Sequence, residues 1–218
     1  MCRNSTDRLT GTCTGFATTP VSISIWVRPY EFVSNIVCGV GTLGSANNFY
    51  AIGLSGSNLV QAIERDTVSS IATTAVAPAL NAWHNLTAVF ASHSDRRIYF
   101  DGANKATSVT ARTCGATTGG FALGDAVSGG AFAADYSHFA LWNTTLSDQD
   151  AADLYSRSPP TVQPASLVEY WPLNGNQSPE PSTQSANSLT VTGANFTSFD
   201  PFGNYMRVPY QRAQMLQL

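Results

Sequence analysis

The feature that most constrains this chain is its punctuation: apolar runs of strand length, cut at short intervals by turn residues, with no helix-length pattern between them. Residues 21–27 (VSISIWV) alternate apolar and polar before Arg28-Pro29, which predicts one core face. Segments 48–54 (NFYAIGL) and 58–65 (NLVQAIER) read as a strand pair joined by Ser55-Gly56-Ser57. In 82–91 (AWHNLTAVFA), His84, Leu86, Ala88 and Phe90 share one face and Trp83, Asn85, Thr87 and Val89 the other. The strand 97–100 (RIYF) runs into Asp101-Gly102, a two-residue hairpin signal because the tight turn needs positive φ. Further strands are read at 121–124 and 135–143. One helix is predicted near 147–156: Ser147 caps it, Asp150 completes a capping box, and Ser158-Pro159-Pro160 stops it. Without βαβ alternation a parallel α/β fold is excluded and an all-β sandwich is expected.

The chain has 218 residues, a size that all-β sandwiches reach as one unit. Charged residues make up only 11 %, against about 25 % in ordinary domains. The surface is therefore neutral and hydrogen-bonding, suited to sugars or neighbouring subunits. The cations are scattered: Lys105 is the only lysine and Arg96-Arg97 the only adjacent pair, read as a solvated strand end. That excludes nucleic acid, where phosphate neutralisation needs clustered charge. The first residues carry no apolar run, so no secretory signal is expected, and no stretch approaches the ~18 apolar residues of a membrane span. Cys2, Cys13, Cys38 and Cys114 form no CxxC pair, which argues against zinc. Free buried thiols are the default, with Cys2–Cys13 or Cys38–Cys114 bridges open in an oxidising medium. The N-x-S/T triplets at Asn4, Asn85, Asn143, Asn176 and Asn195 arise readily by chance in so Asn/Ser/Thr-rich a chain, and none is read as glycosylated.

Four segments occur in the order seen in laminin G-like, concanavalin A-like domains: 21–29 (VSISIWVRP), 82–90 (AWHNLTAVF), 97–102 (RIYFDG) and 141–155 (LWNTTLSDQDAADLY). The resemblance covers roughly residues 15–157 and implies a jelly roll of two antiparallel sheets packed face to face, with the helix at one end. Segments like 167–175 (LVEYWPLNG) and 189–193 (LTVTG) open many such domains, but here they follow the helix. The expected organisation is a main sandwich in 1–158, a linker in 159–164, and strands and an arm in 165–218 that complete the same sandwich, with 174–187 an exposed loop and the tail from Asp200 polar. The tail resembles proteins of bacteriophage and environmental viral genomes.

The resemblance includes glycoside hydrolases, which need two carboxylates flanking the scissile bond. Glutamates stand only at 31, 64, 169 and 180; Glu64 and Asp66 share strand parity and are the best pair, read as a polar strand end. His84, His93 and His138 lack a G-x-S-x-G elbow; His84 is read as a hydrogen-bonded core histidine and His138 is given no role. Residues 39–44 have loose G-x-G-x-x-G spacing without an αβ unit, and are discarded. Calcium is the one cofactor the resemblance leaves open, with Asp95, Asp101, Asp125 and Asp135 as loop carboxylates. A sugar platform would come from Trp26, Trp83, Trp142 or Trp171, mostly expected in the core, or from Tyr30, Phe32, Phe49 and Tyr50 near turns. No site residue is assigned. The expected function is a non-catalytic virion structural or surface protein, of capsid-decoration or fibre type, partnered by itself as a homo-oligomer or by other virion proteins. The alternative is a carbohydrate-binding module or lectin, extracellular and partnered by glycans.

Overall fold

The computed structural model describes residues 8–13, 16, 18–32, 34–42, 48–124, 132–173, 178–193 and 201–202. Fourteen strands follow in chain order: β1 (Arg8–Thr12), β2 (Val21–Pro29), β3 (Ile36–Gly41), β4 (Phe49–Leu54), β5 (Val60–Arg65), β6 (Ser69–Thr73), β7 (His84–Ser92), β8 (Asp95–Phe100), β9 (Ala103–Ser108), β10 (Gly120–Leu123), β11 (Ala134–Trp142), β12 (Leu167–Trp171), β13 (Glu180–Pro181) and β14 (Ser188–Thr192). They form an eight-stranded sheet, β13-β14-β1-β10-β3-β4-β5-β6, and a six-stranded sheet, β12-β11-β2-β7-β8-β9. All pairings are antiparallel, so the expected jelly-roll sandwich is what the chain forms.

The core between the sheets follows strand parity. Val21, Ile23, Ile25 and Val27 of β2 meet Leu86, Ala88 and Phe90 of β7, with Tyr50 and Ile52 of β4 in the same apolar cluster. The residues of opposite parity are not solvated. Ser22, Ser24, Asn85 and Thr87 are buried on the outer face of the six-stranded sheet. Ser22 Oγ donates to the Thr144 carbonyl (2.7 Å), and Thr87 Oγ1 and Asn85 Nδ2 donate to Ser24 Oγ (3.1 and 3.2 Å). The cover on this face includes the helix α1 (Asp148–Ser156), whose Ala151 and Leu154 join Val89, Tyr99, Trp142 and Leu146 in a second cluster. The helix thus lies over a sheet and not at one end as expected, because its apolar stripe must be covered. Its capping box is formed: Asp150 N–H donates to Ser147 Oγ (3.1 Å) and Ser147 N–H to Asp150 Oδ2 (2.8 Å).

Asp101 (φ 52°) and Gly102 (φ 68°) make the hairpin turn between β8 and β9. Gly102 is also required by packing, since a Cβ there would lie 2.7 Å from Tyr155 Cβ. Residues 39–41 of the discarded glycine run belong to β3. Residues 159–164, read as a linker, include a 3-10 turn at Pro159–Thr161; Pro159 and Val162 are buried, and the Val162 carbonyl accepts the Trp142 indole N–H (2.9 Å). Within 174–187 the expected exposed loop is interrupted by β13, where Glu180 is buried. β12 pairs with β11, and β14 pairs with β1. The arm from 203 onward, Cys2, Asp125, Asn4, Asn176 and Asn195 lie outside the described residues.

Candidate functional site

At one end of the outer face of the six-stranded sheet the even-numbered residues of β2 stop being covered polar groups and become Trp26 and Arg28. Arg28 is the cross-strand partner of Asp135 on β11. Its Nε donates to Asp135 Oδ2 (2.9 Å), its Nη2 donates to the same oxygen and to Tyr30 Oη (2.9 Å), and Tyr30 O–H donates to Asp135 in turn. The guanidinium carbon lies 5.6 Å from the centroid of the Tyr30 ring and 5.5 Å from that of Trp83. Trp83 is in place because its neighbour His84 pairs with Val27. Burial works to lower the Arg28 pKa, but the Asp135 hydrogen bond and charge raise it above its ordinary value. Burial and then Asp135 also push the Tyr30 phenol up, so it stays a donor. Asp135 is buried, while Arg28, Tyr30 and Trp83 remain half-buried. A charged fork held beside two aromatic rings places stacking surface and positive charge together on this face.

Two residues along β2, Trp26 stacks on Tyr155 of the helix (centroids 5.6 Å, planes 16° apart) and makes a T-shaped contact with Phe202 (5.3 Å, 71°). Phe202 also contacts His138 (4.9 Å). His138 sits at a bulge of β11 with φ 51°, its Nδ1 2.6 Å from the Tyr170 hydroxyl and its ring parallel to that of Tyr170. Tyr155 is 45 % exposed, whereas Trp26 is 5 % exposed. The Trp26 indole Nε1 is buried without a hydrogen-bond partner.

Of the aromatics considered from sequence, the structure brings Trp26, Trp83 and Tyr30 to this face, and leaves Phe32 exposed in the loop that follows β2. Trp142 and Trp171 are fully buried, as core strands require. Phe49 and Tyr50, read as near a turn, lie inside β4 and are buried. Sequence reading missed Arg28, Asp135, Tyr155 and Phe202.

A second polar cluster corrects two expectations. Arg96 is not a solvated strand end: it is fully buried between the sheets and ion-paired with Glu64, also fully buried and therefore not a polar strand end. Glu64 Oε2 accepts from Arg96 Nη2 (2.9 Å) and Nε (3.2 Å), and Oε1 lies 2.6 Å from His93 Nδ1 and accepts from Cys114 N–H (3.4 Å). Arg96 also donates to the His93 carbonyl (2.7 Å), the Thr110 carbonyl (2.8 Å) and Ser70 Oγ. Asp66 stands in the turn after β5, accepting from Val68 N–H (2.8 Å). The two carboxylates thus differ in surroundings and do not form an acid–base pair.

The other groups considered have structural partners. His84 Nε2 accepts from Ala79 N–H (2.9 Å), so its Nδ1 donates to Asp101 Oδ2 (2.8 Å). Asp95 pairs with Arg97, Asp101 with His84, and Asp135 with Arg28; these carboxylates face different partners and do not fit a calcium centre. Among the described residues no three His, Cys, Asp or Glu side chains converge as metal ligands. Cys13, Cys38 and Cys114 are buried free thiols, so Cys38 and Cys114 are not bridged. Among the described residues no helix is long and apolar enough to cross a membrane.

The family model of the concanavalin A-like lectin/glucanases superfamily matches residues 3–152. The chain belongs to that superfamily. No curated protein matches it. Among solved structures it is similar to a putative carbohydrate binding protein from Bacteroides ovatus (TM-score 0.62, 14 % identity, 86 % of this chain and 59 % of that one). It is also similar to a heptameric SAP-like pentraxin from Limulus polyphemus (TM-score 0.51, 10 % identity, 71 % of this chain and 84 % of that one). A third is domain 4 of AbnA, a GH43 extracellular arabinanase from Geobacillus stearothermophilus, in complex with arabinotriose (TM-score 0.52, 16 % identity, 64 % and 68 %). At these identities the likeness establishes the fold, which is mostly of the lectin or binding type although some neighbours come from enzymes.

Proposed function

We propose that the chain is a non-catalytic carbohydrate-binding module whose ligand lies along Arg28, Tyr30, Trp83 and Tyr155. The observation that carries this reading is the guanidinium fixed by Asp135 beside the Tyr30 and Trp83 rings, with an exposed tyrosine on the helix that covers the same sheet face. Aromatic faces cover the C–H side of a sugar ring, with the polar Arg28–Asp135 pair beside them. The absence of catalysis is supported by Glu64, the best-placed acid in the sequence, being committed to Arg96. The test is a glycan array with the purified chain, with and without calcium, followed by Trp83→Ala and Arg28→Lys. Binding to one sugar class, weakened about tenfold in Trp83→Ala with circular dichroism unchanged, is expected. No binding by the folded chain, or binding indifferent to both substitutions, rejects the reading.

The module's setting is proposed to be a virion surface, as a capsid decoration or fibre component acting as a homo-oligomer. Its support is the 11 % charge and the resemblance of the tail sequence to proteins of viral genomes. Detection of the chain by mass spectrometry in purified particles is the expected result; its absence from them refutes the setting without touching the sugar site.

A further inference from the structure

We propose that the cleft between Trp26 and His138 is a second subsite of this face and that the chain's own Phe202 is its resident competitor. The proposal rests on the carbohydrate reading and adds to it a neighbouring subsite and its regulation. Trp26 lies two residues from Arg28 on the same outer face, so the cleft adjoins the Arg28 platform. Two rings cover the indole there, Tyr155 by stacking and Phe202 in a T-shaped contact, and Phe202 reaches His138 as well.

Two observations mark the cleft as built for something other than a phenyl ring. First, the Trp26 indole N–H is buried with no acceptor. A buried donor left unmet is costly, and a phenyl ring brings no lone pair to meet it. Trp142 shows the alternative in the same sheet, its indole N–H satisfied by the Val162 carbonyl. Second, Phe202 belongs to no strand. The chain leaves β14 at Thr192 in the eight-stranded sheet, and ten residues later Phe202 rests on the outer face of the other sheet. Its ring contacts there are with Trp26 and His138. A sugar ring bearing a hydroxyl would cover the indole as Phe202 does and also accept its N–H.

Phe202 then competes by occupancy. If it is seated about nine-tenths of the time, the apparent affinity of a ligand for the cleft is lowered about tenfold. The experiment is Phe202→Ala in the full chain, with three readouts. Amide and indole hydrogen exchange by NMR follows the Trp26 N–H, assigned by its loss in Trp26→Phe, with the Trp142 N–H reporting an intact fold. Affinity is measured for the best glycan from the array. A peptide of residues 198–206 (SFDPFGNYM) is then added to the variant. The expected result is faster exchange at Trp26 alone, about tenfold tighter glycan binding, and reversal of both by the peptide. Unchanged Trp26 exchange overturns the proposal, as does weaker glycan binding in Phe202→Ala, which would make Phe202 part of the platform. If exchange rises and the peptide reverses it while no glycan binds either protein, Phe202 stands as the cleft's occupant and the carbohydrate reading fails.

Discussion

The Glu64–Arg96 pair allows the sharpest test of how this sandwich is held. Both side chains are fully buried, and they join β5 of one sheet to β8 of the other at the side where β6 and β9 are the edge strands. Replacing Arg96 by Met leaves the Glu64 carboxylate in the interior with only His93 and the Cys114 N–H as partners. Breaking a buried pair from one side costs about 3–5 kcal/mol. In a chain of 218 residues each kcal/mol moves the melting temperature by roughly 2–4 °C, so Arg96→Met should melt about 10 °C lower. Glu64→Leu, which leaves the guanidinium its neutral acceptors, should fall in the same direction by less. The double change Glu64→Leu/Arg96→Met removes both charges and should recover most of the loss, ending within about 2 kcal/mol of the parent. Thermal and urea unfolding of the four proteins closes the cycle. Single changes that cost no more than about 0.5 kcal/mol, the level of ordinary surface substitutions, or a double change equal to the sum of the singles, would refute the claim that the pair acts as a buried unit.

Two further outcomes follow from burial and charge. The Cys38 thiol is pushed up by burial, and burial also raises Cys114 to about 11 and Cys13 to about 12, so none should react with a thiol reagent at pH 8 until the protein is unfolded in urea; rapid native labelling of any of the three, resolved by peptide mapping, would contradict their placement. The Asp148 carboxyl is held below its ordinary 3.8 by Lys105 and then by Tyr99. A depressed native value means that its contribution is present above the ordinary value and is lost as the pH falls through the lowered one. Both groups are solvent-exposed and screened, so the effect is small: unfolding between about pH 5 and pH 2 should show slightly less pH dependence in Lys105→Ala than in the parent, and an identical slope would remove the pair from the account.

What could be read in advance was what local chemistry dictates. Asp101-Gly102 announces its turn because two successive positive φ values suit few residue pairs, and Ser147 with Asp150 announces a helix start because both cap bonds lie within four residues. The β3 strand was invisible because Gly39 and Gly41 imitate a loop; Gly41 is there for packing, since a Cβ would meet Phe49 Cβ at 2.5 Å. Arg96 and Glu64 look like surface charges because the partner that permits their burial is 32 residues away on the opposite sheet. Ser22 and Ser24 alternate as solvent-facing residues do, yet they are covered, a fact held by residues 144 and 146 and the helix. The candidate site was half legible. Trp26, Trp83 and Tyr30 were noticed by type, but Asp135 stands 107 residues from Arg28, and only the register of β2 with β11 brings them together.

The position of β1 sets a timetable for synthesis. Leu9 pairs with Leu123 on one side and Val191 on the other, so β1 is bounded by a strand made 182 residues later. At ribosomal speeds of about 5–20 residues per second, Arg8–Thr12 waits roughly 10–40 s for its last neighbour. A strand edge that waits unpaired invites pairing with other nascent chains. Its sequence, RLTGT, has a single apolar residue and a glycine next to its last position, which makes it a poor partner for anything except the gap it finally fills.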